Sequence, residues 1–441
     1  MRVMSSRRLT ALLVIVVAAV GFALIALPYV RGLSFLVRAT DMRGTIRTLA
    51  NLDARRATER EIDMDVPTGR SGKMSGRLYL PDGRPRRVIL LVPGLPPAGL
   101  SEPHLVRLAR QLAASGLAVV TPDIPELSLL EISPAVTDKI EAAALWLSTR
   151  SAISQAVGGD RPIGLMGIGF SGGFSLVAAG RRSLDGHVAY VFASGGHDDL
   201  PRVLRYFCTG IELAPLREVR LKPDATENDQ VRLKTDTQTS DRGVTDNDRG
   251  VTKNDRGVRL QPDPPSGVLQ QTEGLGVMLL GVANRMVPRP QVDRLRGAVR
   301  RFLAASSLDR TDKPQADREF ASLKVLAKAL PEPSATLLRY VNDRDMIHLG
   351  ARLLPYIAVY GGAASLSPSK SAKPAVPVFL LHATDDLIPA VESEYLVNDL
   401  RGHAPVRLLL SGFLSSAEIE QPMPVGEVLN LASFWGDLLS R

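Results

Sequence analysis

The sequence predicts an α/β protein built on a mostly parallel sheet, and two observations lead to this prediction. From residue 61 onward, short apolar runs alternate with stretches whose apolar residues recur at helical spacing, which is typical of buried strands covered by helices. Of the 441 residues, 45% are hydrophobic and 23% are charged, so the chain can bury a large core. The lone cysteine, Cys208, excludes a disulfide framework and a multi-cysteine metal site.

The first predicted element is a membrane-spanning helix at residues 10–30, which contain no charged side chain. At about 1.5 Å per residue, a helix of this length crosses a hydrocarbon core of about 30 Å. A cleaved signal peptide is the alternative, although no A-x-A cleavage site precedes Arg31. Because arginines flank the run on both sides, the sequence leaves the orientation in the membrane open.

Most of the positive charge lies in the same segment. Residues 1–60 hold ten arginines against three carboxylates, whereas the net charge of the whole chain is +8. This distribution of charge favours binding to a membrane surface over binding to nucleic acid, because a nucleic-acid-binding protein would carry a basic face on its folded body. Apolar residues of 31–50 recur at helical spacing between arginines, which predicts a helix that lies on the lipid surface or packs on the next domain. We expect no nucleic-acid partner.

The sheet is predicted from eight apolar stretches. Two of them alternate apolar and polar residues like antiparallel edge strands, at 62–66 and 74–80. The other six resemble buried parallel strands, at 88–92, 117–121, 163–167, 188–193, 376–381 and 406–410. Amphipathic helices are predicted at 103–115, 135–148 and 425–439, where the apolar residues form one face.

The stretch 206–372 interrupts the strand pattern. Apolar stripes near 292–303 and 320–330 predict helices, so we expect a helical cap. Within it, residues 218–265 are polar and repetitive, which predicts a disordered insert or, as the alternative, a partner-binding linker. The predicted organisation is a membrane anchor and basic segment at 1–60, a first core part at 61–205, the cap at 206–372 and a second core part at 373–441.

The main chemical motif is G-x-S-x-G at residues 169–173, directly after the strand predicted at 163–167. A serine on a tight turn between a strand and a helix is exposed as a nucleophile, and the glycines let the helix approach the strand closely. With the helix predicted to continue from Phe174, Ser171 is the candidate nucleophile. The backbone amide of Gly172 is a candidate donor to the oxyanion that forms in acyl transfer.

Two other predicted strand ends supply groups for the same site. Leu95 lies in the loop after the strand at 88–92, and its amide is the second candidate oxyanion donor. A plain tight turn is the alternative for this loop. Asp385 and Asp386 follow the strand at 376–381, where an acid that orients a catalytic base would sit.

In the segments VILLVPG, GIGFSGG and LLHATDDLIP, the chain resembles the α/β-hydrolase superfamily, and within it esterases, lipases and dienelactone hydrolases. The resemblance covers residues 61–205 and 373–441. It implies an α/β-hydrolase fold with a helical cap and a nucleophile–acid–histidine triad. Counting forward from His382 places the acid at Asp386, and counting back from Pro389 places it at Asp385; we choose Asp386.

The sequence departs from the family at the third member of the triad. No histidine lies between the strand at 406–410 and the end of the sequence, and Ser415 or Ser416 stands where the family has its histidine. His197 follows the strand next to the motif and is the candidate substitute base, with a surface-loop histidine as the alternative. Removing a triad base costs about 10⁴- to 10⁶-fold in rate, so we expect weakened activity.

Two functions follow as hypotheses. The first is a membrane-anchored serine hydrolase that acts on ester or related acyl substrates, either small or lipid-derived, with Ser171, Asp386 and His197 as its catalytic residues. The second is a hydrolase-fold scaffold without catalysis that binds a ligand or partner at the membrane. No phosphate-binding loop, dinucleotide fingerprint or metal-ligand motif is present in the sequence, so we expect neither cofactor nor metal. The oligomeric state is left open.

Overall fold

An eight-stranded sheet forms the centre of the computed structural model. The structure describes residues 26–40, 44–66, 72–95, 99–149, 153, 161–212, 266–309, 311–383, 386–411 and 424–441. The strands are β1 (Ala57–Asp65), β2 (Lys73–Pro81), β3 (Val88–Val92), β4 (Ala118–Pro122), β5 (Ile163–Ile168), β6 (Val188–Ser194), β7 (Val378–Ala383) and β8 (Val406–Ser411). The α/β prediction is confirmed, and each of the eight predicted strands is present.

The strand order is β1-β2-β4-β3-β5-β6-β7-β8. The strands β1 and β2 pair in antiparallel fashion, as their alternation predicted, and β3 to β8 are parallel. β2 is not an edge strand, since it also pairs with β4. The chain moves from β3 to β4 on one side and then to β5 on the other, so the direction of winding reverses there. In open α/β sheets, such a reversal opens a crevice at the carboxyl ends of the strands.

Helices cover both faces of the sheet, because the parallel strands are apolar on both sides. Around the strands lie α1 (residues 26–39), α2 (Thr45–Ala50), α3 (Pro103–Ala114), α4 (Pro125–Ser128), α5 (Pro134–Thr149), α6 (Phe170–Ala179), α7 (Leu200–Thr209), α14 (Val391–Leu400) and α15 (Val425–Ser440). One apolar cluster joins α1, α3 and α15 to the sheet, and a larger one joins α5, α6 and α7 to the opposite face.

The region between β6 and β7 is helical where it is described. It contains α8 (Ser266–Met286), α9 (Arg289–Leu308), α10 (Lys313–Ala329), α11 (Ser334–Asn342), α12 (Met346–Leu353) and α13 (Ile357–Gly361). The stripes predicted near 292–303 and 320–330 lie mainly in α9 and α10, and the helices pack through the larger of the two apolar clusters. The predicted insert at 218–265 lies outside the described residues.

The N-terminal helix α1 packs directly on α15. A Cβ atom added to Gly32 would lie 1.9 Å from the Ala432 carbonyl oxygen, so only glycine permits this approach. The rings of Phe35 and Trp435 lie 4.3 Å apart. The single helix predicted within 31–50 is in fact two, because α1 ends at residue 39 and α2 begins at Thr45. Of the two predicted alternatives, packing on the next domain is therefore observed for α1.

The membrane-spanning helix predicted at 10–30 lies mostly outside the described residues, of which only 26–30 belong to it. Among the helices that the structure describes, none combines the length and the apolar character needed to cross a bilayer.

Candidate functional site

The carboxyl ends of β3, β5, β6 and β7 meet at one edge of the sheet and form the candidate site. Two backbone hydrogen bonds hold neighbouring loops together: the Gly169 amide donates to the Ser194 carbonyl at 2.7 Å, and the Gly195 amide donates to the Leu381 carbonyl at 2.8 Å. The loop after β3 approaches β5, since a Cβ atom on Gly94 would lie 3.3 Å from the Ile168 carbonyl oxygen. We call this edge the crevice.

The sharp turn between β5 and α6 is at Gly169. Its backbone has φ 57° and ψ −130°, a conformation that glycine adopts far more readily than other residues. The helix begins at Phe170, four residues before the predicted start at Phe174. A Cβ atom on Gly169 would have no heavy atom within 4 Å. The position at which a nucleophile elbow exposes its side chain is therefore occupied by glycine.

Ser171, the predicted nucleophile, lies two residues after this turn, in the first turn of α6. It is 0% exposed, and its hydroxyl donates a hydrogen bond to the Pro93 carbonyl at 2.6 Å. The helix is so close to β5 at this point that a Cβ atom on Gly167 would lie 2.2 Å from the Ser171 carbonyl oxygen. The expected position of Ser171 at the apex is thus corrected: its side chain lies in the contact between strand, helix and loop.

The candidate oxyanion amides are placed differently from each other. The Gly172 amide donates to the Gly169 carbonyl at 2.9 Å, so this amide is used within the turn. The residue that follows the apex is Phe170, and its amide has the position that an oxyanion donor would take. Leu95 lies at the end of the described loop after β3, where its side chain packs against the larger apolar cluster.

Asp386 reaches the crevice from the end of β7, and Asp385 lies outside the described residues. The Asp386 carboxylate accepts a hydrogen bond from the Ala383 amide at 2.9 Å. One of its oxygens lies 2.8 Å from the place that a Cβ atom of Gly195 would occupy, so the carboxylate rests against the end of β6. Its side chain is 31% exposed. Asp386 therefore lies two strands from the turn at Gly169, and its role as the acid stays a prediction.

His197, the candidate substitute base, is buried behind α6. Its Nε2 donates to the Leu366 carbonyl at 2.8 Å, while its buried Nδ1 has no hydrogen-bond partner. Burial lowers the pKa of the imidazole, which keeps it neutral. A Cβ atom on Gly173 would lie 2.4 Å from the ring. Neither ring nitrogen is bonded to Ser171, whose hydroxyl faces Pro93 instead.

The loop after β6 is held by a buried charged cluster that the sequence did not reveal. Glu392 on α14 is 1% exposed and accepts hydrogen bonds from the amides of Asp198 at 2.9 Å and Asp199 at 3.1 Å. The Arg202 guanidinium binds both Glu392 oxygens, at 2.6 and 2.9 Å, and the Asp198 carboxylate at 3.0 Å. Arg202 also lies 3.6 Å above the Tyr395 ring.

The two aspartates of this cluster differ in their electrostatics. Burial raises the pKa of Asp198 to about 7 despite the bond to Arg202, and one of its oxygens is buried without a partner. Burial also acts to raise the pKa of Asp199, but the bonds to Lys370 and the Arg202 amide, together with the charges of Lys370 and Arg202, lower it below its ordinary value. Glu392 carried no sequence signal, because it lies on a helix far along the chain and only folding brings it to the loop.

The other five histidines lie on other elements than α6 and the loop after β6. His382, at the end of β7, is bonded to Ser393 Oγ and the Ile388 carbonyl, each at 2.7 Å. The remaining four are His104 at the start of α3, His187 before β6, His348 on α12 and His403 after α14. Within the described part of the chain, no three His, Cys, Asp or Glu side chains are grouped so as to hold a metal ion.

No protein-family model and no curated protein matches this chain. Among solved structures, it is similar to an esterase from Pyrobaculum calidifontis, with 14% identity, coverage of 93% of this chain and 90% of that chain, and a TM-score of 0.40. It is also similar to carboxyl esterase 2 from the fungus Tuber melanosporum, with 13% identity, 86% coverage of both chains and a TM-score of 0.40.

A thermophilic carboxylesterase cloned from a metagenomic library is a third similar structure, with 13% identity, coverage of 89% of this chain and 91% of that chain, and a TM-score of 0.41. At these values the similarity says nothing about substrates, and the chain's own strand order and its turn after β5 carry the comparison. The chain has an α/β-hydrolase-like fold, with a mostly parallel sheet in the order β1-β2-β4-β3-β5-β6-β7-β8.

Proposed function

We propose that this protein binds a small molecule in the crevice and does not use Ser171 as a covalent nucleophile. One observation carries the proposal: the residue at the strand-to-helix turn is Gly169, and the nearest serine in the chain, Ser171, is fully buried. A glycine at the apex has no side chain that could attack a substrate. It leaves room at the crevice for part of a ligand instead, because nothing lies within 4 Å of its missing Cβ atom.

The environment of Ser171 supports the same conclusion. An uncharged hydroxyl becomes a strong nucleophile when an adjacent base takes its proton. The Ser171 hydroxyl donates its hydrogen bond to the Pro93 carbonyl, which cannot remove the proton as a base would. The candidate base His197 donates from Nε2 to the Leu366 carbonyl. A serine that is neither accessible nor paired with a base reacts slower by about 10⁴- to 10⁶-fold than one in a complete triad.

A serine hydrolase that acts on ester substrates is the second candidate function. The observation that favours it is the contact of the Ser171 hydroxyl with Pro93, at the start of the loop that carries the Leu95 amide. In this alternative, Ser171 reacts after its side chain turns toward the crevice. Asp386 and His197 then retain the orienting and base roles that the sequence predicted.

Labelling with a fluorophosphonate probe separates the two functions. We expect wild-type protein to be labelled no faster than Ser171→Ala, because neither carries an activated hydroxyl. Gly169→Ser places a hydroxyl at the turn and serves as the control for access, with slow labelling expected in the absence of a paired base. Rapid wild-type labelling that is lost in both Ser171→Ala and His197→Ala would establish the serine hydrolase.

We also propose that residues 10–30 anchor the protein in a membrane. The support is the absence of charge in this stretch and the helical conformation of residues 26–39, which continue it. The full chain should remain with the membrane fraction after an alkaline wash. Ile15→Arg/Ala19→Arg should release it, since each arginine costs about 2.5–3.5 kcal/mol at the centre of a span. Retention of this variant would contradict the anchor.

A further inference from the structure

Two arginines lie side by side at the amino edge of the sheet, opposite the crevice. Arg55 precedes β1 and Arg86 precedes β3, and their amides donate to the Ala114 and Gly116 carbonyls at 2.8 and 2.9 Å. Their Nε atoms both approach Gly116: a Cβ atom there would lie 3.2 Å from Arg86 Nε and 3.3 Å from Arg55 Nε. The two cationic side chains therefore share one small region.

Arg31 on α1 adds a third positive charge that acts on Arg86. None of the three arginines forms an ion pair with a carboxylate in the described residues. Arg55 donates to the Arg84 carbonyl at 2.9 Å and Arg86 donates to the Ser115 carbonyl. Asp53, whose charge also reaches Arg86, is already paired with Arg38 at 2.9 Å. We call Arg31, Arg55 and Arg86 the arginine cluster.

Two further features indicate that this cluster is suited to an anion. Arg86 Nε is buried without a hydrogen-bond partner. Burial, with the repulsion from Arg31 and Arg55, lowers the pKa of Arg86, which means that its charge is poorly compensated in the fold. A phosphate oxygen is a good acceptor for guanidinium groups because it matches their charge and their planar set of donors.

The helix that carries Arg31 also exposes large apolar side chains to solvent. The four on α1 are exposed by 38–55%: Leu27, Tyr29, Val30 and Leu33. They continue the uncharged run that begins at residue 10. Apolar and aromatic side chains next to arginines are typical of the boundary between acyl chains and headgroups.

We propose that the arginine cluster and the exposed face of α1 form a docking surface for an anionic bilayer, with the arginines bound to lipid phosphate groups. The proposal rests on the membrane anchor proposed above. The arginine cluster lies at the amino ends of the parallel strands, and the crevice lies at their carboxyl ends. Docking through the cluster therefore points the crevice away from the bilayer. With six-residue strands such as β5 and β7 rising about 3.3 Å per residue, the crevice opens about 20 Å from the lipid surface, and its ligand arrives from water.

Lipid quenching of a fluorophore tests this arrangement in the full chain, reconstituted in nanodiscs of phosphatidylcholine with or without phosphatidylglycerol. One fluorophore is attached to Thr48→Cys, on α2 near the arginine cluster, and another to Ser101→Cys, in the loop after β3 near the crevice. Both native side chains are exposed. The natural Cys208 remains unlabelled because it is buried and its thiol pKa is raised to about 12.

We expect spin-labelled lipid to quench the fluorophore at position 48 and not that at position 101, and quenching at 48 to increase with phosphatidylglycerol. Arg31→Gln/Arg55→Gln should weaken docking about 30-fold, since each arginine near an anionic surface contributes about five- to sixfold. Arg318→Gln/Arg352→Gln removes the same charge from exposed positions on α10 and α12 and should change nothing.

Equal quenching at both positions would overturn the orientation, and an unchanged response in Arg31→Gln/Arg55→Gln would overturn the role of the cluster. Failure of the anchor is distinguishable, because the chain would then leave the nanodiscs. In that case, sedimentation of the wild-type chain with phosphatidylglycerol vesicles, but not of Arg31→Gln/Arg55→Gln, still supports the cluster, and equal sedimentation refutes it.

Discussion

The loops that follow β5 and β6 lie side by side at the crevice and are built in opposite ways. The turn after β5 is formed by one glycine, Gly169, and a Cβ atom there would have no heavy atom within 4 Å. Ser171, two residues later, is buried. The loop after β6 is fixed by Glu392, which holds two successive amides and one guanidinium. Among the described residues of the crevice, the buried polar groups stabilise a loop, and none of them is paired with Ser171.

Of the variants that test this difference between the two loops, Glu392→Ala should lose the most stability. The substitution leaves the partly buried Arg202 side chain and the Asp198 and Asp199 amides without their acceptor, and loss of one partner of a buried ion pair costs about 3–5 kcal/mol. The free energy of unfolding from urea titration measures the loss. Glu394→Ala, on the same helix and partly exposed, is the control, and equal losses in the two variants would show that the cluster does not hold the loop.

A pH titration sharpens the comparison at Asp198. Because folding raises the pKa of this carboxyl to about 7, the folded state binds its proton more tightly than the unfolded state. This contribution to stability is complete below the unfolded pKa of about 4 and is lost as the pH rises to about 7.

The pH dependence of the unfolding free energy should therefore differ between wild type and Asp198→Asn. Wild type should lose stability relative to the variant between about pH 4 and about pH 7. The difference isolates Asp198 from His197, whose lowered pKa acts in the opposite direction by removing stability as the pH falls. Parallel curves for the two proteins would show that Asp198 titrates normally.

The smallest effect is expected at the turn after β5. Ser171→Ala removes one hydrogen bond and leaves the Pro93 carbonyl unpaired, which costs about 1–2 kcal/mol. The variant should melt at a lower temperature while its fluorophosphonate labelling equals that of wild type. Ser175→Ala is a matched control, since Ser175 lies one turn later in the same helix and its buried hydroxyl has no partner. A smaller loss in Ser171→Ala than in Ser175→Ala would contradict a structural role for the Ser171 hydroxyl.

The sequence predicts the eight strands correctly, but it misplaces the turn after β5 by two residues. Gly167, Gly169, Ser171 and Gly173 recur every second residue, so two frames of the motif are available after one strand. The G-x-S-x-G pattern predicts the turn at Ser171, because it takes the serine as the nucleophile. In the structure, β5 ends at Ile168 and the sharp turn follows at Gly169. The end of the strand therefore determines which residue of the motif forms the turn.

Hydrophobic patterning by itself determined the eight strands and the α/β class, because these depend on local periodicity. The choice of Asp386 as the candidate acid depends on the resemblance to the α/β-hydrolase superfamily and stays a prediction. Only the tertiary structure decided which residue forms the turn, where the Ser171 hydroxyl and the His197 ring point, and that Glu392 reaches the loop after β6. Each of these depends on how closely two elements distant in sequence approach. That distance is determined by the packing of α6 and α14 against the strands, which no local pattern encodes.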